Sequence, residues 1–322
     1  MAAGFGTRLG SLTELRPKPM LPLCGSPLIE WAVLYLRHQG VRELVINLHH
    51  MGEQIEAYLG DGSRYGLAIV YSREATILGT GGGLREARSL LDDGKGTPIV
   101  VMNGKILMEL QLAAVLDHHR RTGAEATWVM RDDLEGVWGG SLAARSDGRM
   151  VNFLGERLAT AAGTNSEDRR LMFTGVHVFA PEFLDRIPTQ GEQCIARTAY
   201  RTLFHEGGRF QTFVTPGYWW EHSTPDRYLA GIRNVLDGKV SLPHAKYRLR
   251  GVHPSARIDA KAALIDPVWV GPNVRILAGA TVGPHVQLDS GVRVASGLHL
   301  HNCAVWSNVD VRRNLGDEIV AI

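Results

Sequence analysis

A chain of 322 residues, 44% hydrophobic and 21% charged, has the composition of a globular protein and is long enough for two domains. Its formal net charge of +2 gives no ground for a nucleic-acid partner or an acidic membrane surface. Cys24, Cys194 and Cys303 are far apart, lack metal-ligand spacing and read as reduced packing residues of a cytoplasmic protein; no apolar run reaches membrane-spanning length, and the first residues lack the basic and apolar regions of a signal peptide.

The most informative stretch comes first. Gly4 and Gly6 permit a tight turn with exposed amides, Thr7 adds a hydroxyl, and Arg8 a planar fork suited to phosphate oxygens. Lys18 follows between Pro17 and Pro19, which hold its backbone extended. Two cations beside a glycine turn are what a triphosphate and a leaving pyrophosphate require. A Walker loop is excluded because Thr7-Arg8 follows Gly6, and a dinucleotide loop because position 9 is Leu. A phosphate loop is normally delivered by a buried strand, yet Met1 lies three residues before Gly4. The expectation is a start further upstream, and, for the chain as written, a short central strand and a poorly anchored loop.

Beyond the loop, apolar runs at 41–48, 67–71 and 98–102 predict strands, and helical spacing marks 27–39, 52–60, 82–91 and 108–121. This alternation predicts an α/β fold, a Rossmann-like, mainly parallel sheet flanked by helices with right-handed crossovers. Ligands of such sheets collect at the carboxyl ends of the strands, which points to the loop Asn103-Gly104-Lys105. A second glycine-rich stretch, Glu74 to Gly83 with Gly79, Thr80, Gly81 and Gly82, allows main chain to lie flat against a base or ribose; the bland alternative is a turn leading a helix.

From residue 252 the period becomes six: Val252, Ile258, Leu264, Val270, Ile276, Val282, Leu288, Val294, Leu300 and Trp306 fall at steps of six. A hexapeptide period predicts a β-helix, here of about three coils. His285, His299 and His301 could serve as bases, but three coils offer little cleft, so the coil reads as structural and oligomerising.

The opening run closely resembles the G-x-G-T-R-L…P-K-P-x-L-P signature of the sugar-1-phosphate nucleotidylyltransferases, or NDP-sugar pyrophosphorylases. The stretch 59–83 looks most like the members acting on N-acetylmuramate 1-phosphate, and also like those acting on glucose and mannose 1-phosphates. Phe173-Thr174-Gly175 resembles the sugar-contacting strand, and Trp220-Glu221-His222-Ser223-Thr224-Pro225 the closing W-x-D-x-G-T-P motif. The coil resembles the left-handed β-helix behind the catalytic part of several members. The implied organisation is a nucleotidylyltransferase-like domain over 1–240, a linker over 241–251 and a β-helix over 252–322.

The resemblance implies transfer of a nucleotidyl group from an NTP to a hexose 1-phosphate, giving an NDP-sugar and pyrophosphate. Arg8, Lys18 and Lys105 would be catalytic. Ala3, Gly4, Gly6, Thr7, Glu74, Gly79, Thr80, Gly81, Gly82, Asn103, Gly104, Thr174 and Gly175 would bind substrate. The family's Mg²⁺ would fall to Glu221. Lys105 stands where the family places a metal-binding Asp, Glu221 replaces a second Asp, and the E-K-P element is missing between 150 and 170, where Glu156-Arg157 is a poor substitute. Four readings follow: Lys105 is a surface lysine pointing away, its ammonium takes over part of the metal's work, Glu221 and Glu109 hold a displaced Mg²⁺, or the site binds without turnover. The last makes the chain a regulatory homologue that binds NTP or NDP-sugar. Its partners would be an NTP and a sugar 1-phosphate, with self-association or pairing with an active homologue, and neither nucleic acid nor membrane.

Overall fold

The structure, a computed structural model, describes residues 1–133, 136, 141–158 and 168–322. Part of the stretch in which an E-K-P element was sought, 159–167, therefore lies outside the described residues. The chain forms two compact units, each assembled from separated segments: Met1–Gly4, Gln39–Gly104 and Leu110–Gly217 make the first, and Phe5–His38, Lys105–Glu109 and Tyr218–Ile322 the second.

In the first unit, Glu43–Leu48 and Ala68–Arg73 pair in parallel. In the larger sheet, Ile99–Met102, Ala126–Asp132 and Phe210–Val214 share one direction, while the eleven-residue strand Arg169–Phe179 runs antiparallel between the first two. The result is a mixed sheet: Ala126–Asp132 and Phe210–Val214 pair in parallel, and beyond Arg169–Phe179 the antiparallel strands Ala143–Ala144, Met150–Phe153 and Glu156–Arg157 extend it. Trp128, Phe153, Phe179, Tyr200, Phe204 and Phe210 fill its core. Each such side chain stabilises the fold by about 1.5–3 kcal/mol when fully buried. Met1–Gly4 form no strand but are tied down more firmly than the sequence suggested. Met1 N donates to Met102 O (2.8 Å), Met1 O accepts from Gly104 N (3.0 Å), and Ala2 N donates to Asn47 Oδ1 (2.7 Å).

Two helix expectations change. The spacing over 82–91 resolves into Gly79–Glu86 and Arg88–Leu91. The helix expected over 108–121 begins only at Leu112, because Ile106–Met108 is claimed by antiparallel pairing with Trp219–Glu221. Cross-strand pairing overrides local periodicity there.

The second unit contains that pair, the helix Leu28–His38, the helix Pro225–Leu236 and the coil. Thr224 caps Pro225–Leu236, its side chain accepting from Arg227 N, and Pro225 occupies the first turn where no amide is needed. The coil is a parallel β-helix with faces of five, four and four strands. It therefore makes about four turns rather than three, since pairing continues to Ile319–Val320. Val252, Val270 and Leu288 stack at the expected interval, but the next member is Val305, not Trp306. Asn302, with φ of +42°, sits beside the shortened corner. Among the described residues no helix is long and apolar enough to cross a membrane.

A carboxylate buried in the coil is only partly compensated. Asp289 is 3% exposed; its Oδ1 accepts from Gln287 Nε2 (3.1 Å), while Oδ2 has no hydrogen-bond partner. Burial pushes its pKa up to about 7 against the pull of Arg16. The folded value exceeds the unfolded one, so the cost of ionisation grows from about pH 4 and is fully present above pH 7. Asp289→Asn should therefore raise the melting temperature at pH 8 and change it little at pH 4, as followed by thermal denaturation.

Candidate active site

The cations singled out in the sequence lie in the second unit. Gly6, with φ of +73°, starts the turn Thr7–Leu9. A Cβ on it would lie 2.8 Å from Thr13 Cγ2 and 3.1 Å from Lys18 Cε, so the missing side chain is what lets the lysine stem cross the turn. Lys18 opens a second tight turn, Lys18–Met20, and is only 8% exposed. Lys105 precedes Ile106, which pairs with Glu221, so the strand register sets ammonium against carboxylate: Lys105 Nζ donates to Glu221 Oε1. Arg8 approaches the same oxygen at 3.6 Å with its side chain mostly in solvent. Arg227 Nε donates to Glu221 O (3.0 Å), and its guanidinium lies 4.3 Å from the Trp220 ring centre.

This arrangement polarises its members. Burial pushes the Glu221 carboxyl up, but Lys105, with Arg8 and Arg227 behind it, holds it below the usual carboxylate range. Burial, then the neighbouring Lys105 and Arg8 charges, bring Lys18 down to about 8, with Glu221 opposing. Arg8, Lys18 and Lys105 thus outnumber the one carboxylate among them, and the surplus positive charge suits phosphate oxygens.

The first unit carries the other residues. Glu74 is 5% exposed; it accepts from Asn47 Nδ2 (2.7 Å) and from Leu78 N (3.0 Å), extending a hydrogen-bonded chain that begins at Ala2 N. Gly79 has a φ of +71° and packs on Gln193 main chain, Gly81 N donates to Gln193 O (2.7 Å), and Thr80 Oγ1 accepts from Ile195 N (3.0 Å). The close approach these glycines allow is thus made to residues 191–195, and Gly79–Glu86 is the helix whose leading turn they form. Gly82 packs on the Leu78 side chain.

Thr174 and Gly175 sit in a bulge, where pairing with Ala126–Asp132 slips between Phe173 and Val176. The Thr174 hydroxyl donates to Val129 O (2.7 Å), so the donor expected to serve a hexose hydroxyl is committed within the sheet. Gly175 O accepts from Asn103 N (3.1 Å), and a Cβ at Gly175, where φ is +85°, would lie 2.5 Å from Asn103 Nδ2. Gly104 N is bound to Met1 O, Ala3 is buried, and Gly4 borders open space. Asn47 was missed by sequence reasoning, although its place at the carboxyl end of Glu43–Leu48 obeys the strand-end rule that selected Asn103. No spacing pointed to Gln193.

A family described as Nucleotidyl transferase matches the chain over residues 1–238. The chain belongs to that family. It is 30% identical over 309 residues to a mannose-1-phosphate guanylyltransferase of Mycobacterium tuberculosis, covering 92% of this chain and 80% of that protein. Over 115 residues it is 45% identical to the N-acetylmuramate alpha-1-phosphate uridylyltransferase of Neisseria meningitidis, covering 35% and 48%. In fold it is similar to HddC from Yersinia pseudotuberculosis complexed with GMP-PN, with a TM-score of 0.59 at 21% identity over 72% of this chain and 96% of that one.

Members of the family generally depend on a divalent cation, but the residues present here do not fit one. Mg²⁺ takes carboxylates, waters and phosphate oxygens. The Glu221 oxygen is bound by an ammonium with a guanidinium behind it. Glu109, the other carboxylate considered, accepts from Ser241 N and lies at the far end of the strand pair, beside Tyr218. Among the described residues no three His, Cys, Asp or Glu gather as a cation site.

Lys18 is charged at neutral pH against the preference of its surroundings. Its folded pKa is below the unfolded value, so the cost is fully present below about pH 8 and vanishes as pH rises through 10.5. Lys18→Met should accordingly stabilise the protein by about 1–3 kcal/mol at pH 7, a gain that shrinks toward pH 10 in urea melts.

Proposed function

We propose that this enzyme transfers a nucleotidyl group from a nucleoside triphosphate to a hexose 1-phosphate, releasing pyrophosphate and an NDP-sugar, and that it does so with its own side-chain cations. The observation that carries this reading is the gathering of Arg8, Lys18 and Lys105 around Glu221. A phosphate oxygen of the sugar 1-phosphate attacks the α-phosphorus in line. The bond from that phosphorus to the bridging oxygen breaks, and pyrophosphate leaves with the electron pair. The nucleophile is already anionic, so no proton has to be removed and no general base is required. What remains is positioning and neutralisation of the charge that builds on the phosphates.

Arg8 supplies the exposed fork that captures the triphosphate, and Lys18 supplies a buried charge for the departing pyrophosphate. Lys105, held against Glu221, exchanges part of that ion pair for phosphate oxygen when substrate arrives, and Glu221 stores it between turnovers. Gly4, Gly6 and Thr7 offer turn amides and a hydroxyl to the phosphates. Gly79 to Gly82, with Glu74 and Asn47 behind them, are assigned to the nucleoside, and Asn103, Gly104 and Gly175 to the sugar. The names of the relatives favour a hexose, with guanine or uracil as base. In this reading residues 1–240 carry the reaction, 241–251 form the connection and 252–322 the β-helix.

The purified protein, mixed with each NTP and a panel of hexose 1-phosphates, should release pyrophosphate, and release should persist when a chelator strips divalent cations. Arg8→Ala and Lys18→Ala should each lower kcat by about 10²-fold, the scale for removing one donor from a site of developing charge. Lys105→Asp should lower turnover in chelator. A rise on adding Mg²⁺ to that variant, beyond the unaltered enzyme, would show that Lys105 has no part in catalysis.

A further inference from the structure

Resting on the assignment of Lys18 to the pyrophosphate, we infer that the β-helix fixes this lysine from both sides, and that Gln287 and Trp306 of the coil are positioning residues for the transfer. The first sign is a face of the coil that should be wet. Trp269, Gln287 and Ala304 lie in register one above another and alternate with inward-pointing Val268, Val270, Val286 and Leu288. Outward residues of a β-helix meet solvent unless something covers them. Here they are 7%, 0% and 0% exposed.

The turn after Lys18 is one cover. Pro22–Leu23 and Ser26–Pro27 form a minimal hairpin, with Cys24 at φ of +44° and Gly25 at +91°. Gly25 packs on the Trp269 ring so closely that a Cβ would lie 2.6 Å from it. The Gln287 side chain acts as a substitute strand: Oε1 accepts from Cys24 N (2.9 Å), and Nε2 donates to Pro22 O (3.1 Å). On the other side of Lys18, the Arg16 guanidinium lies 5.0 Å from the Trp306 ring centre. Trp306 is the residue that the shortened turn from Leu288 to Val305 displaces from the stack.

Between these two anchors little can move. Pro17 and Pro19 fix two backbone angles, Leu21 N donates to Lys18 O (3.2 Å), and Leu28 N donates to Leu21 O (3.0 Å). What freedom is left lies in the lysine side chain, whose stem passes against Gly6. The coil thus sets where the Lys18 ammonium stands. A displacement of about 1 Å in such a group costs about 10²-fold in rate.

A double-mutant cycle on the full-length chain tests this. Gln287→Met keeps the bulk and removes both hydrogen bonds; Trp306→Leu removes the perch of Arg16 from the other end, and carries the test alone if Gln287→Met does not fold. Each should lower kcat at least about tenfold with the KM for sugar 1-phosphate unchanged, and lower it less than about twofold in a Lys18→Ala background. A merely structural role would cost the same factor in both backgrounds, and equal losses, or no loss in the unaltered background, would overturn the inference. The same cycle is to be read by calorimetric titration with inorganic pyrophosphate. If the unaltered chain binds pyrophosphate through Lys18 but releases none in the assay, the proposed reaction fails, and coupling in the binding cycle still decides the anchoring. Absence of coupling there overturns it.

Discussion

A single carboxylate, Glu221, makes the rest of the cationic site possible. It is 9% exposed and is met by the Lys105 ammonium, with Arg8 at 3.6 Å. Removing one partner of a buried pair typically costs about 3–5 kcal/mol, because a charge is left without water or counterion. Without Glu221, nothing would offset the repulsion that Lys105 and Arg8 exert on Lys18. The chain holds a phosphate-binding surplus of positive charge by keeping one acid among it.

The surplus explains why the neighbourhood is built so tightly. A lysine whose pKa is depressed to about 8 is under electrostatic strain, and it stays in place because its backbone is over-determined. Gly6 gives it room, flanking prolines remove its backbone freedom, and the hairpin that follows is tied to the coil. The β-helix, which by its repeat looks like an appendage, buries an outward face in order to hold this turn. Stability and function are opposed at Lys18 and reconciled by rigidity around it.

Particular elements show where reading the sequence succeeded and where it stopped. The glycine turn, the Pro-Lys-Pro segment and the six-residue repeat are local patterns with stiff stereochemical consequences, so each was legible. The repeat faltered at Trp306, where one fewer residue per turn moves Val305 into the stack, a deletion that apolarity on both positions conceals. The strand Ile106–Met108, of which only Met108 fell within the expected helix, went unread because its partner lies more than a hundred residues away. Thr174 looked like a donor for a sugar and is spent on Val129, since a bulge turns it inward. Asn47, by contrast, was within reach of the strand-end rule.

By itself the sequence determined the family, the alternating α/β order, the coil and the set of cations, because these depend on residue type at short spacing. It also showed that a lysine stands where the resemblance expects a metal-binding acid. Only the tertiary structure decided that this lysine is matched to Glu221, that Glu109 is kept apart from it, and that Gln287 grips the turn beyond Lys18. Those facts depend on strand register and on which outward faces become covered, and such non-local pairings leave no periodic trace in the order of the residues.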